Sequence, residues 1–357
     1  MRPNLRTGAV VLAVAIVAAA CGGGDKKKAT TTTTTTTSPP TTVAAPPGNP
    51  PPVPPGHFPL TALKGEPSRL GRPALIVKID NAPKARPQAG LAEADIVIEE
   101  LVEGGVTRFA VLFHSNEAAD VGPVRSARST DIHLATPLNR PLFAYSGANA
   151  VFEQLINTSP VVNVGVGAAP GEYTRRAGRP APYNLFTGTF KLFSHAPAGS
   201  TAPPPMFHYR AEGAPTPIGD PIPTPQGGAN VEYRGHIVTR VSWGWDAGAQ
   251  VWRRSQDGGL HLDAAGAQVS ARNVVIMFVG YRDTGLRDRS GAVVPEAELV
   301  GEGDVWVLTD GKVVKGRWKR TAPAAMAELL DGAGAPIRLT PGNTWVELPI
   351  PGGAGLF

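Results

Sequence analysis

Three polar blocks in the first half of the chain combine arginines with carboxylates near the ends of predicted strands. They are KIDNAPKARPQAGL at 78–91, EELVEGGVTRF at 99–109 and GPVRSARSTD at 122–131. Binding and catalytic side chains tend to collect at strand ends and in the turns that follow them. Guanidinium groups bind phosphates and carboxylates, while carboxylates act as acids, bases or metal ligands. The blocks therefore predict an anion-binding site or an active site.

The candidate side chains divide by chemistry. The predicted ligand-binding residues are Arg108, Arg125, Arg128, Asn81 and Arg86. Because Arg125 and Arg128 are three residues apart, they would share one face of a helical turn and hold one anion together. The candidates for catalysis are Glu99, Glu103, Asp131 and His114. The alternative is a structural network in which arginines and carboxylates only tie loops together.

Other motifs that carry chemistry are absent. The seven histidines form neither an H-x-H nor an H-E-x-x-H pattern, and the single cysteine cannot complete a zinc site. Gly165-x-Gly167 is followed by Gly171, one place too late for a dinucleotide-binding loop. The sequence therefore predicts no metal and no cofactor.

The N-terminus has the pattern of an export signal. Arg2 and Arg6 precede an apolar run from Ala9 to Ala20, which ends directly before Cys21. A run of about a dozen residues is too short for a membrane-spanning helix, which needs about 20. Small residues before a lone cysteine resemble a bacterial lipobox, in which the thiol is acylated. We expect a signal peptide at 1–20, a lipid on Cys21 and an extracytoplasmic protein anchored to the cell membrane.

Charge and composition limit the partners. The full chain has 34 basic and 29 acidic residues. Loss of Arg2 and Arg6 with the signal peptide leaves 32 basic residues and a net charge of +3. Such a mild excess on an exported protein argues against nucleic acid. A threonine run and a proline-rich stretch cannot bury a core, so 21–57 is predicted to be a disordered tether. The partners expected are the membrane, through the anchor, and an anionic cell-wall polymer or envelope protein.

The rest of the chain predicts two domains of an α+β protein. Apolar runs predict strands, Gly104-Gly105 predicts a hairpin between two of them, and Asn149 to Ile156 has helical spacing. These elements favour a mixed α/β domain at 58–211. Residues 212–230 are rich in proline and glycine and predict a linker. Closely spaced β-rich runs with an Asp310-Gly311 turn favour a mainly antiparallel β domain at 231–350. Ala322 to Leu330 is the clearest helix candidate of that domain.

The same blocks carry a family resemblance. KIDNA…ARPQAGL, EELVEGGVTRF and GPVRSAR resemble the YerB-like bacterial lipoproteins, and the likeness continues in NVVIMFV at 273–279, DGKVVKGRWKR at 310–320 and PGNTWVELP at 341–349. It covers nearly everything from Leu60 to Pro349. The resemblance implies a lipoprotein signal and two adjacent domains of unknown function. It supplies no catalytic residues.

Two main hypotheses follow. In the first, an envelope lipoprotein binds an anionic component through Arg108, Arg125 and Arg128. In the second, a hydrolase or transferase acts on a cell-wall or lipid-linked polymer, holding its phosphate with the arginines while Glu99, Glu103 or Asp131 serves as acid, base or metal ligand. A faint similarity of RSARSTD at 125–131 to the LytR-CpsA-Psr enzymes favours this second hypothesis. A structural scaffold is a third possibility.

Overall fold

The computed structural model describes residues 49–215, 219–221, 227–288 and 291–357. Within these ranges the chain forms short helices and many strands, and no described helix is long and apolar enough to span a membrane. The α-helices are α1 (Pro67–Leu70), α2 (Ser129–Ala135), α3 (Ala150–Thr158) and α4 (Thr189–Phe193).

The strands of the first half lie between residues 75 and 221. They are β1 (Leu75–Asp80), β2 (Ile96–Leu101), β3 (Thr107–Phe113), β4 (Leu142–Ala144), β5 (Val162–Asn163), β6 (Thr174–Arg175), β7 (Leu185–Phe186), β8 (His208–Tyr209) and β9 (Asp220–Pro221).

The strands of the second half are longer. They are β10 (Gly228–Arg234), β11 (Val238–Asp246), β12 (Val251–Gln256), β13 (Gly259–Leu260), β14 (Ser270–Ala271), β15 (Asn273–Met277), β16 (Tyr281–Arg287), β17 (Val293–Ala297), β18 (Gly301–Thr309), β19 (Lys312–Arg320), β20 (Glu328–Asp331), β21 (Arg338–Leu339), β22 (Thr344–Glu347) and β23 (Ala354–Leu356).

One large sheet contains strands from both halves of the chain. Its order is β20-β19-β18-β15-β22-β2-β3-β1-β4-β5, with β9 beside β19. The halves meet where β2 pairs in parallel with β22, from Ile96 opposite Thr344 to Glu99 opposite Glu347. The predicted segments 58–211 and 231–350 therefore share a sheet, and the exact domain boundaries stay a prediction.

Both faces of this sheet are covered. A second sheet, β13-β12-β11-β10-β23 with β14 beside β12, packs its tryptophans against one face. Helices α2 and α3 pack against the other face. Successive side chains of a strand point to opposite faces. In β1, Val77 accordingly packs on the side of the second sheet, and Ile76 packs on the side of the helices.

Most predicted elements are confirmed, including the α+β class. The Gly104-Gly105 hairpin joins β2 to β3, and Asp310-Gly311 joins β18 to β19 with positive φ at both turn residues. Helix α3 occupies the predicted 149–156 region, where Asn149 Oδ1 accepts a hydrogen bond from the Phe152 amide.

The helix predicted for Ala322 to Leu330 is wrong. Residues 321–327 form turns, and the chain continues as β20, which pairs antiparallel with β19. Met326 and Leu329 are buried in the layer that also contains Trp318. Ladder hydrogen bonds and burial outweigh the weak helical preference of this alanine-, leucine- and methionine-containing segment.

The predicted tether and the predicted linker lie partly outside the described residues. The signal peptide, Cys21 and the threonine run lie outside them. Of the predicted tether, residues 49–57 are described; Pro50 is buried, and Asn49 Oδ1 accepts a hydrogen bond of 2.9 Å from the Met326 amide. Of the predicted linker, residues 220–221 form β9, and 228–230 already belong to β10.

The two glycines of the β2–β3 turn give a matched test of this packing. A Cβ on Gly105 would collide with the carbonyl oxygen of Ile237, whereas a Cβ on Gly104 meets nothing within 4 Å. Both residues have positive φ, at 71° and 89° for Gly104 and Gly105. We expect Gly104→Ala to cost about 1–2 kcal/mol of unfolding free energy through backbone strain alone. Gly105→Ala should cost about 2 kcal/mol more because of overpacking.

Urea denaturation of both variants measures the difference. Equal losses of unfolding free energy in the two variants would mean that the turn does not pack tightly against the connection between β10 and β11.

Candidate functional site

An arginine-rich cavity of about 740 Å³ lies beside the turn between β2 and β3. We call it the arginine pocket. Its described lining includes the three predicted anion-binding arginines and two that were not predicted, on β6 and β16: Arg108, Arg125, Arg128, Arg175 and Arg287. Glu103 and Asp288 are the acidic residues among the described lining. The sequence blocks at 99–109 and 122–131 therefore do converge on one site.

Each of the three central arginines has a defined partner. Arg128 donates to both carboxylate oxygens of Glu103, at 2.5 and 2.7 Å. Arg125 Nε donates to Asp80 Oδ2 at 2.6 Å. Arg108 Nη1 donates to the backbone carbonyl of Ser126 at 2.8 Å, and its nearest carboxylate, Glu103, is 4.0 Å away. Arg108 is thus the central arginine without a carboxylate in hydrogen-bonding contact.

Burial sets the electrostatics of Arg108. This side chain is 8% exposed, against 11% for Arg128 and 26% for Arg125. Desolvation, together with the positive charge of Arg128, lowers the pKa of Arg108 to about 10. The guanidinium therefore stays protonated at neutral pH, and a bound anion would relieve its unfavourable environment.

The local backbone explains how Arg125 and Arg128 reach the pocket. Residues 123–125 run alongside β1, with hydrogen bonds from the Asp80 amide to Pro123 and from the Arg125 amide to Lys78. Helix α2 begins only at Ser129, so the expectation of a shared helical face for the two arginines is wrong. The Arg128 amide, just before the helix, donates to Asp131 Oδ2 at 2.7 Å.

Asp131 belongs to a buried charge cluster behind the pocket. Lys78 Nζ donates to Asp131 Oδ1 at 2.7 Å and also to Glu100 Oε1, and all three side chains are fully buried. Burial raises the pKa of Glu100 to about 7, with the Asp131 charge adding to the effect of desolvation. Asp131 is therefore paired with Lys78 and does not line the cavity. An acid or base that acts on a bound ligand would have to face it.

Glu99 lies on the opposite face of β2 from Glu100. Its carboxylate accepts hydrogen bonds from Arg254 Nη2 at 2.6 Å, Thr107 Oγ1 at 2.7 Å and Asn81 Nδ2 at 3.1 Å. The predicted ligand-binding residue Asn81 is thus a buried partner of Glu99. Neither Glu99 nor Asn81 lines the arginine pocket.

This second cluster joins the two sheets. Glu347, on β22, accepts hydrogen bonds from Tyr233 at 2.7 Å and Trp243 at 2.8 Å, both from the second sheet. Burial and the charge of Glu99 raise the pKa of Glu347 to about 8. His261 bridges Arg254 and Gln88 in the same cluster.

The remaining predicted residues also lie away from the pocket. His114 is buried, with Nε2 3.0 Å from the Arg72 carbonyl and its ring edge-on to Phe58. Arg86 pairs with Asp257 of the second half at 2.9 Å. Of the four catalytic candidates, only Glu103 lines the arginine pocket. Among the described residues, no group of three or more His, Cys, Asp or Glu side chains is arranged to hold a metal.

Sequence reasoning missed several participants. Lys78 had a visible signal, because a lysine inside an apolar strand must be paired when the strand is buried. Arg175, Arg254, Arg287 and Glu347 gave no such signal, since their partners are far away in sequence.

Family models match most of the body. The N-terminal domain of a protein family of unknown function, DUF3048, matches residues 60–201, and its C-terminal domain matches 229–346. This chain belongs to the DUF3048 family.

Comparisons with a protein of Bacillus subtilis confirm the predicted resemblance to the YerB-like lipoproteins. The protein named "Putative lipoprotein YerB" in strain 168 is 29% identical over 295 residues, which is 81% of this chain and 85% of that protein. A crystal structure of the YerB protein matches with a TM-score of 0.71 at 25% identity, covering 84% of this chain and 99% of that one.

The lowered pKa of buried His114 provides a test of the packing around this residue. Burial and the nearby Arg72 lower the pKa of His114 to about 4. The folded state then binds fewer protons than the unfolded state between pH 6.5 and 4, so stability falls as the pH falls through that window. The loss due to this residue should approach about 1.4 kcal/mol per pH unit, and His114→Gln should remove that part of the slope. Buried His261, whose pKa burial also lowers, keeps its own part.

Urea unfolding at several pH values measures this slope in wild type and variant. His236→Gln, which removes an exposed histidine, is the matched control. A slope as steep in His114→Gln as in the wild type would show that His114 does not contribute to the acid sensitivity.

Proposed function

We propose that this protein is an extracytoplasmic lipoprotein that binds an anionic component of the cell envelope in the arginine pocket. The observation that carries the proposal is the convergence of Arg108, Arg125 and Arg128 on one cavity with Arg175 and Arg287. Arg125 and Arg128 have carboxylate partners, whereas Arg108 and Arg175 donate hydrogen bonds to neutral acceptors, so positive charge in the cavity remains available to an anion.

The pocket has the features that anion recognition requires. Arg108 is largely desolvated and lacks a contacting carboxylate, so its charge is weakly screened. Arg125 and Arg128 remain partly exposed, so a ligand can reach them. Ser126 and Ser146 add neutral hydrogen-bonding groups to the lining, and α3 begins beside it after Asn149. The partial positive charge of that helix end favours an anion.

The placement of the carboxylates favours binding over catalysis. An acid and a base acting on a bound ligand would both face the cavity. Glu99 is instead buried and paired with Arg254, and Asp131 is buried and paired with Lys78. Glu103 lines the cavity but is hydrogen-bonded to Arg128. A purely structural network would have every arginine buried and neutralised, whereas Arg175 and Arg287 are exposed.

The proposed location rests on the N-terminal pattern and on the relative. The lone Cys21 follows a short apolar run and three alanines, and the similar protein of Bacillus subtilis is named as a lipoprotein. Acylation of Cys21 would hold the arginine pocket outside the cell membrane, where anionic wall polymers and lipid headgroups are available as ligands.

Removal of two pocket arginines tests the binding function. We expect Arg125→Ala with Arg128→Ala to lower retention of an anionic cell-wall fraction at least tenfold, because two of the guanidinium groups are lost. Pull-down of the isolated wall fraction by purified protein measures retention, and circular dichroism checks the fold.

The matched control removes two arginines elsewhere. Arg234→Ala with Arg240→Ala deletes the same charge from an exposed strand pair. Unchanged retention in the pocket variant, or an equal loss in the control, would contradict binding in the arginine pocket.

A second test addresses the anchor. Cys21→Ala removes the thiol that would carry the lipid, so we expect the protein in the medium or as unprocessed precursor. Fractionation and mass spectrometry of the mature N-terminus measure this outcome. Normal membrane-bound, acylated material from the variant would refute the assignment.

A further inference from the structure

A buried lysine contacts two buried carboxylates between the large sheet and α2. Lys78 Nζ lies 2.7 Å from Asp131 Oδ1 and also contacts Glu100 Oε1, and all three side chains are fully buried. We call these three residues the lysine cluster. Lys78 lies on β1 and Glu100 on β2, with β3 between them, and Ala110 of β3 is directly opposite Lys78. The small side chain of Ala110 lets the lysine extend across β3 to Glu100.

The lysine cluster has two carboxylates for one ammonium group. Charges that are removed from water keep a high desolvation cost even when they are paired. Burial raises the pKa of Glu100 to about 7, so this carboxylate readily accepts a proton from the ammonium group in contact with it. Loss of that proton makes Lys78 a nucleophile, because only the neutral amine has a free electron pair.

The two oxygens of Asp131 have different partners. Oδ1 faces the Lys78 amine, whereas Oδ2 accepts a hydrogen bond of 2.7 Å from the backbone amide of Arg128. When a nucleophile adds to a carboxyl carbon, negative charge develops on the oxygen that stays, and a fixed N–H donor stabilises it. Glu100 Oε2 has no hydrogen-bond donor among the described residues. Asp131 is therefore the carboxyl group prepared for attack, and Glu100 is placed to carry protons.

From this arrangement we infer that Lys78 and Asp131 condense to an intramolecular amide bond. Glu100 takes one proton from the Lys78 ammonium group and delivers it to Asp131 Oδ1. The electron pair of Nζ then forms a bond to Cγ of Asp131, and the bond between Cγ and Oδ1 breaks. Glu100 moves a second proton from Nζ to Oδ1, which leaves as water. The amide nitrogen keeps one hydrogen, and Glu100 is again a carboxylate at the end.

The fold favours this condensation by holding the reacting groups together and away from solvent. Well-oriented groups in fixed contact react as if their concentration were about 10⁵–10⁸ M. Because the lysine cluster is fully buried, bulk water has no access to hydrolyse the amide once it has formed.

The bond would give the protein a covalent cross-link between β1 and α2. It joins residues 53 positions apart, and a cross-link of this kind restricts the unfolded chain as a disulfide does. With a single cysteine, the chain has no disulfide of its own. The inference therefore goes beyond the proposed anion binding and assigns the protein a reaction on itself.

Peptide mapping of the full-length protein tests for the bond. Folded protein is denatured and digested with trypsin, which cleaves after a lysine only when its ammonium group is free. We expect two linked peptides that contain residues 78 and 131, lighter by one water than their sum, and no cleavage after Lys78. Unlinked peptides with cleavage after Lys78 would overturn the inference. A bond from Lys78 to Glu100 would overturn the assignment of Asp131.

Glu100→Gln tests the proton carrier. Glutamine has the same size but cannot accept and return the proton, so the rate of linking should fall at least about tenfold. Cell-free synthesis supplies unreacted full-length chain, and samples denatured at intervals give the rate. Glu302→Gln is the matched control, because Glu302 forms an exposed pair with Arg317 far from these reacting groups. An unchanged rate in Glu100→Gln, with the fold checked by circular dichroism, would overturn the role of Glu100.

Two substitutions of Asp131 test the acyl partner. Asp131→Asn keeps the reactive carbon, so it should give the same linked peptides as the wild type, with ammonia leaving in place of water. Asp131→Ala has no such carbon and should give none. Linked peptides from Asp131→Ala would show that Lys78 reacts with another residue and would overturn the inference. The mapping of the wild type decides whether the bond exists even when a variant does not fold.

Discussion

Pairing of charges inside a fully covered sheet is the constraint on which this structure depends. Lys78, Glu99, Glu100 and Arg108 lie in the three neighbouring strands β1, β2 and β3, where both faces are packed. A charge buried without a partner costs several kcal/mol, so each of these side chains requires a specific partner from another element. Asp131 of α2 and Arg254 of the second sheet supply two of those partners. The packing of the layers therefore brings these charges to their partners, and the pairing of the charges allows the layers to pack.

Because side chains alternate along a strand, the dipeptide Glu99-Glu100 contacts two different layers. Glu99 and Glu100 are neighbours in sequence, but they point to opposite faces of β2. Glu99 binds the second sheet through Arg254, while Glu100 binds the α2 side through Lys78. The same strand also pairs with β22 along its edge. A single six-residue strand thus connects the two halves of the chain and both covering layers.

The arginine pocket lies where this paired interior reaches the surface. Its inner arginines are held by Asp80, Glu103 and the Ser126 carbonyl, so their positions are fixed before any ligand arrives. Fixed donors need no reorganisation on binding, which favours affinity and specificity. The partners of the arginines therefore preorganise the arginine pocket.

The sequence by itself determined the strands, the two glycine-containing hairpins and the convergence of Arg108, Arg125 and Arg128, because alternation, turn residues and strand ends are local signals. Tertiary structure decided which charged side chains face the cavity and which are buried. It placed Glu99, Asp131 and His114 inside, added Arg175 and Arg287, and made a strand of residues 328–331. These outcomes depend on partners far away along the chain, such as Arg254 for Glu99, and no local pattern encodes them.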